Sequence, residues 1–151
     1  MKRSFLFIPL TFLTLLIVLA SFSPNDNTQL TDDVLRQTNQ FRRSKGLTEL
    51  VMRDDLNAIA QQHSANMAKG RVGFGHGGFD KRNTMASRKI KSMGSFAENV
   101  AYGARNATEV ITMWKNSSGH RRNMLGHYKY IGIGTAKDRQ GRIFYTQVFA
   151  G

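Results

Sequence analysis

An α+β domain, with helices in the first part of the chain and strands at its end, is the fold class this sequence predicts. Three observations carry the prediction. Leu56, Ile59, Ala60, His63 and Met67 recur at the i, i+3, i+4 spacing of one buried helix face. Ile131, Ile133 and Thr135, then Ile143, Tyr145, Gln147 and Phe149, alternate with their neighbours on either side of Asp138-Arg139-Gln140-Gly141, which is the pattern of a β-hairpin. No βαβ alternation joins the two regions.

The chain has 151 residues, the size of one domain. It opens on Lys2-Arg3 and then an apolar run over residues 5–22, about the length needed to cross a bilayer. This is the basic and apolar order of a secretory signal, with Val18 and Ala20 as small residues for cleavage after Ala20. Residues 1–20 are therefore expected to be a signal peptide or an N-terminal anchor. Either sends the remainder across the membrane, so the domain is expected to be secreted, periplasmic or anchored at the outer face of the cytoplasmic membrane. Residues 21–30, with Pro24, Asn25, Asp26 and Asn27, read as a polar linker before a domain over 31–151.

Within that domain Thr31 is the expected cap of a first helix, Asp32 and Asp33 suit its first turn, and Gly46 ends it. Val34, Leu35, Thr38 and Phe41 are its buried stripe. Residues 47–52 read as a short apolar link. Asp54 is the expected cap of the second helix, and Gly70 stops it. Residues 71–95 are rich in glycine and poor in periodicity, which predicts a long loop carrying His76, with one short helix near 84–91. Asn106 and Glu109 have the spacing of a capping box before a helix that buries Val110, Ile111 and Trp114. Ser117-Ser118-Gly119 breaks that helix, and residues 120–125 are expected to form one more turn, capped by Ser118.

The chain has no cysteine, so disulfides, thiolate metal sites and thiol nucleophiles are excluded, as is lipid attachment to a cysteine. The 22 Lys and Arg against 10 Asp and Glu give a formal net charge of +12, which attracts polyanions or simply solvates the surface. Lys81, Arg82, Arg88, Lys89 and Lys91 are the densest basic cluster.

The residues that can carry chemistry are few. His76 sits in Phe74-Gly75-His76-Gly77-Gly78-Phe79, where flanking glycines leave an imidazole little to pack against. His120 precedes Arg121-Arg122-Asn123, and Asn123 falls on the same helical face, placed to orient it or to cap nearby backbone. Glu98 stands between small and apolar residues in Ala97-Glu98-Asn99-Val100. Imidazole and carboxylate bind borderline metals or move protons near neutral pH. His63 lies on the apolar stripe of the second helix and reads as a satisfied core histidine, and His127 as loop surface. There is no His-Glu-x-x-His, no Gly-x-Ser-x-Gly elbow and no phosphate-binding glycine loop.

The order of these motifs, from Gly46-Leu47 and the His63 helix through Gly75-His76, Ala97-Glu98-Asn99-Val100, Trp114, Gly119-His120-Arg121-Arg122-Asn123-Met124-Leu125, Ile131-Gly132-Ile133-Gly134 and Tyr145-Thr146-Gln147-Val148-Phe149, resembles the CAP superfamily in its short bacterial form. That superfamily comprises cysteine-rich secretory proteins, antigen 5 and pathogenesis-related class 1 proteins, also called SCP domains. The resemblance implies an α-β-α sandwich around a central antiparallel sheet. It also implies a cleft lined by two histidines and two glutamates, of which His76, Glu98 and His120 match three. Ser117 stands about where the second acid belongs, so the tetrad is incomplete. A divalent metal is implied in the cleft, zinc before calcium, held by His76 and His120 with water or Glu98; Glu98, Ser117 and Asn123 would line it.

Two functions are in view. One is a secreted or envelope-associated binding module for a small ligand or lipid. The other is a zinc-dependent hydrolase of envelope or extracellular substrates, in which Glu98 is the candidate catalytic group. Beside these two stands a third reading, a cationic protein for polyanions with a nuclease-like site built on His120 and Asn123; as a partner an anionic envelope polymer is favoured over nucleic acid, and a monomer is expected.

Overall fold

The structure, a computed structural model, describes residues 24–151. The signal or anchor expected over 1–20 lies outside the described residues. The elements run α1 (Pro24–Arg43), β1 (Val51–Met52), α2 (Asp54–Ala68), α3 (Phe79–Ser87), β2 (Phe96–Tyr102), α4 (Ala107–Asn116), α5 (Ser118–Met124), β3 (Tyr130–Lys137) and β4 (Ile143–Ala150).

The first helix begins at Pro24, not at Thr31, so most of the expected linker is helical. Proline suits the first helical position because the amide it lacks would be unpaired there. Tertiary contacts hold this extra length: Leu30 packs against the core, and Asn27 accepts a hydrogen bond from the Thr135 hydroxyl. Gly46, in the left-handed region at φ 71°, turns the chain after α1 as its sequence position predicts.

The sheet has the order β1-β3-β4-β2. Three strands are antiparallel; β1 pairs parallel to β3 through Val51–Tyr130 and Met52–Ile131, so the sheet is mixed rather than antiparallel throughout. Two residues carry too little alternation to distinguish a strand from the link expected there. The hairpin stands as predicted, with Tyr130 opposite Ala150 and Lys137 opposite Ile143.

Strand alternation sends successive side chains to opposite faces. Ala97, Ala101, Ile131, Ile133, Tyr145 and Phe149 face α1 and α4, where Val34, Val110, Ile111 and Trp114 complete one core. Val148 and Ala150 face α2 and α3 and pack with Leu56, Ile59, Ala60, Ala86 and Ile90. The result is a three-layer α-β-α sandwich, with β4 buried along its whole length. Gly132 and Gly134 bring α2 onto β3: a Cβ at either would lie 2.2 Å from the Leu56 or 2.1 Å from the Gln61 main chain.

Helix starts differ in detail from expectation. Arg53, not Asp54, is the N-cap of α2, and Ser117, not Ser118, that of α5. The third helix spans Phe79–Ser87 instead of 84–91 and starts after Gly78, whose φ of 78° lets the His76 loop turn directly into it. The Asn106 cap forms, its Oδ1 accepting from the Glu109 amide at 3.0 Å, while the Glu109 carboxylate reaches back to the Arg105 amide at 2.9 Å.

Candidate functional site

The site lies along β2, an edge strand of the sheet. Glu98 points to the α2 and α3 side, and its neighbour Asn99 points to the α1 and α4 side. Each organises one half of the site.

The Glu98 carboxylate has no exposed surface and is enclosed by one guanidinium and two imidazoles. Arg82, from the middle of α3, grips it with both arms of its guanidinium, Nε to Oε2 at 2.5 Å and Nη2 to Oε1 at 2.7 Å. Such a bidentate fork is the geometry in which arginine compensates a buried acid. The remaining guanidinium nitrogen donates to the Gly77 carbonyl at 2.8 Å, so Arg82 also fixes the glycine loop. His76 Nδ1 donates to Glu98 Oε1 at 2.9 Å. With Nδ1 committed to the acid, Nε2 is the nitrogen His76 presents outward on a half-exposed side chain. His63 is buried and donates from Nε2 to the Gly75 carbonyl at 2.8 Å, standing 3.9 Å from Glu98 Oε1.

Asn99 organises the other half. Asn123, on α5, donates to the Glu98 carbonyl and to Asn99 Oδ1, both at 3.0 Å. Asn99 in turn donates to the His120 carbonyl at 3.2 Å and to Gln147 Oε1 at 3.4 Å. Gln147 continues to the Thr38 hydroxyl at 2.8 Å, which donates to the Val34 carbonyl. A buried chain of amides thus ties α5 to β2, β4 and α1. At the β2 edge, the Asn123 bond to the Glu98 carbonyl satisfies one outward-facing main-chain acceptor. Of the two roles expected for Asn123, the structure shows the backbone one.

His120 is carried on α5 at this edge. Among the described residues its imidazole makes no hydrogen bond. Burial lowers its pKa first, and the nearby His76 lowers it further. His63 is also lowered, chiefly by burial, against the raising effect of its bond to Gly75. Both rings are therefore held neutral at pH 7. Ser117 is half-buried between α4 and α5, where its carbonyl accepts the Arg121 amide at 2.8 Å.

The structure thus puts His76 and Glu98 in direct contact, ties Asn123 to the Glu98 carbonyl, and joins the His120 main chain to the neighbouring Asn99. Two members were not assigned to the site from sequence. His63 is the satisfied core histidine that its place on the apolar stripe predicts, and it is also part of the Glu98 enclosure. Arg82, read with Lys81, Arg88, Lys89 and Lys91 as a surface cluster, is buried instead. The available signal was Glu98 itself: a carboxylate in an apolar strand needs a cation, although the sequence does not say which one.

The donor set can be weighed against a resident metal. Zinc sites that do chemistry use three protein ligands. Here both Glu98 oxygens are engaged by Arg82 and His76, which leaves at most the two imidazoles of His76 and His120 from the expected set. No cluster of three His, Cys, Asp or Glu suited to a metal occurs among the described residues. Glu98 is bonded to His76 Nδ1 and fixes that ring's orientation, with its own oxygens already taken. The residues do not fit a resident three-ligand zinc centre.

Residues 35–149 match the family model described as the cysteine-rich secretory protein family, CAP. The chain is 31% identical over 126 residues to the uncharacterized protein YkwD of Bacillus subtilis, covering 78% of this chain and 46% of that protein. In fold it is similar to an extracellular SCP-domain protein of Bacillus anthracis, with a TM-score of 0.71 at 23% identity over 84% of this chain and 43% of the other. It is also similar to an outer surface protein of Borrelia burgdorferi, with a TM-score of 0.67 at 17% identity over 81% and 92% of the two chains. The chain spans less than half the length of the two Bacillus proteins.

Proposed function

This chain belongs to the cysteine-rich secretory protein family, and on that premise we propose that it works outside the cytoplasmic membrane as a binding module whose cleft is built on His76 and His120. The basic-then-apolar start over residues 1–22 supports the placement, as do relatives described as extracellular or outer-surface proteins. The observation that carries binding over hydrolysis is the state of Glu98. A general base must present an unengaged lone pair to water or substrate. This carboxylate is fully enclosed, and its charge is balanced by Arg82 at 2.5 and 2.7 Å. What the cleft offers a ligand is a pair of imidazoles on a braced frame, His76 aimed by Glu98 and His120 held by α5. A divalent ion would find two nitrogens there and would need its remaining donors from water or from the ligand itself.

Zinc alone is the probe that tests this reading. In histidine-detected NMR at pH 7.5, zinc is expected to perturb the His76 and His120 rings together, reversibly and with loss on dialysis. The His76→Ala/His120→Ala variant should show no such binding. Zinc retained stoichiometrically through dialysis, or an unchanged titration in the double variant, overturns the reading. A zinc-dependent peptidase or esterase activity of the parent chain, lost in a folded His76→Ala/His120→Ala variant, would restore the hydrolase.

A further inference from the structure

A second concavity lies at the far end of the same sheet face. There a cleft of about 820 Å³ opens between the end of α2 and the β3–β4 hairpin. We propose that this cleft binds a linear polyol-phosphate chain, a phosphodiester polyanion of the cell envelope, through Lys69, Arg71, Lys137, Arg139 and Arg142.

The charge distribution is the first argument. Five cations and one carboxylate line the cleft, and they come from two segments well separated in the chain. Lys69 and Arg71 follow a helix C-terminus, where cations offset the dipole. That local reason does not extend to the hairpin, which contributes the other three. Asp138 offsets only one of them, Arg142. Its carboxylate accepts from the Gln140 amide, the Arg142 amide and Arg142 Nε at 2.9, 2.9 and 2.7 Å, so it is spent on shaping the turn. Lys69, Arg71 and Arg139 have no carboxylate within ion-pair distance among the described residues. Clustered cations on low-dielectric walls concentrate polyanions.

The shape then selects the ligand. The cations line a concavity, which a flexible chain enters and a flat bilayer surface does not. Sites for single-stranded nucleic acid join such a groove to exposed aromatic faces on which bases stack. The one aromatic residue lining this cleft is Phe144. It is 7% exposed, and its ring is stacked against Tyr102 at 5.5 Å. The exposed rings nearby, Tyr102 and Phe74, pack on Phe144 and on each other outside the cleft lining, so the cations themselves are not interleaved with aromatic faces. Phosphates on a short polyol spacer need none, and the apolar floor of Met67, Ala68 and Phe144 suits the spacer carbons. The choice of an envelope polymer rests on the extracytoplasmic placement above; the site itself does not depend on the histidine cleft.

The test is calorimetric titration of the full chain with a defined glycerol-phosphate oligomer, at salt concentrations from about 50 to 200 mM. Three variants are compared: Lys69→Gln/Arg71→Gln/Arg139→Gln in the cleft, Arg88→Gln/Lys89→Gln/Lys91→Gln with equal charge removed elsewhere, and His76→Ala/His120→Ala. The cleft variant is expected to lose about tenfold or more in affinity and to flatten the salt slope by about two. The other two should stay within about twofold of the parent. Equal losses in both charge variants overturn the proposal. So does tighter binding of a charge-matched oligothymidylate, or binding to anionic phosphatidylglycerol vesicles in preference to the oligomer. Loss of oligomer binding in the histidine variant would also overturn it, by merging the two sites, whereas the zinc titration alone decides the first.

Discussion

The balance at Glu98 is the most consequential feature at the scale of single residues. A carboxylate with no exposed surface survives folding only because Arg82 and His76 supply the interactions that water gave it. Removing the charge strands a buried guanidinium. Glu98→Gln is therefore expected to destabilise the domain by about 3–5 kcal/mol in urea unfolding. The apolar pair Glu98→Leu/Arg82→Met should recover much of the loss, since well-packed apolar replacements of a buried pair are often neutral. A change below about 1 kcal/mol in Glu98→Gln would mean the pair is solvated like a surface ion pair. The sequence made His76, Glu98 and His120 legible because each is out of keeping with its glycine-rich or apolar surroundings. It hid Arg82, because in a chain with 22 Lys and Arg a buried cation looks like its exposed neighbours. It half-hid His63, because an imidazole on an apolar stripe reads the same whether it packs or also faces an acid.

Elements were legible in proportion to their length and periodicity. The second helix and the hairpin could be read directly, since each repeats its pattern over several turns or residue pairs. The two-residue β1 could not, and neither could the first turns of α1, whose helix is held by Leu30 and Asn27 meeting the core rather than by any local apolar stripe. The motif Ile131-Gly132-Ile133-Gly134 gains a specific meaning from the structure. Its isoleucines fill one core, and its glycines admit the α2 backbone on the opposite face. Asn57 and Gln61 of α2 then accept from the Ile133 and Thr135 amides at 2.9 and 3.1 Å, pairing the strand edge that the short β1 leaves uncovered. Gly134→Ala would place a methyl 2.1 Å from the Gln61 amide nitrogen. The expected cost is at least about 2–3 kcal/mol, because main chain and not a mobile side chain must move. Gly119→Ala is the matched control. It lies in α5 with nothing within 4 Å of the added carbon, and should be neutral or stabilising by up to about 1 kcal/mol. Equal losses at the two positions, measured by the same denaturation, would mean that the close approach of α2 to β3 is not what the glycine supplies.

For the molecule as a whole, several effects of acid run in one direction. His63 and His120 have pKa values below the ordinary 6.5, both chiefly through burial. The unfolded chain therefore binds protons before the folded one does, and stability rises with pH where this happens. The contribution is complete above the unfolded value and is lost as pH falls through 6.5 toward the lower folded values. Below that, Asp55 and Glu109 come into play. Hydrogen bonds from Arg53 and Arg105 lower them from 3.8 and 4.5, so their support disappears as pH falls through the depressed values. Protonation also adds positive charge to a chain already at a formal +12, which increases self-repulsion in the compact state. Urea unfolding should therefore show a lower midpoint at pH 5.5 than at pH 7.5 with an unchanged slope, a change of stability and not of compactness. The variant His63→Gln keeps a donor for the Gly75 carbonyl but cannot titrate, so it should flatten the profile over that window. A midpoint that rises on acidification, or a profile that His63→Gln leaves unaltered, would mean that the buried imidazole does not carry the pH response.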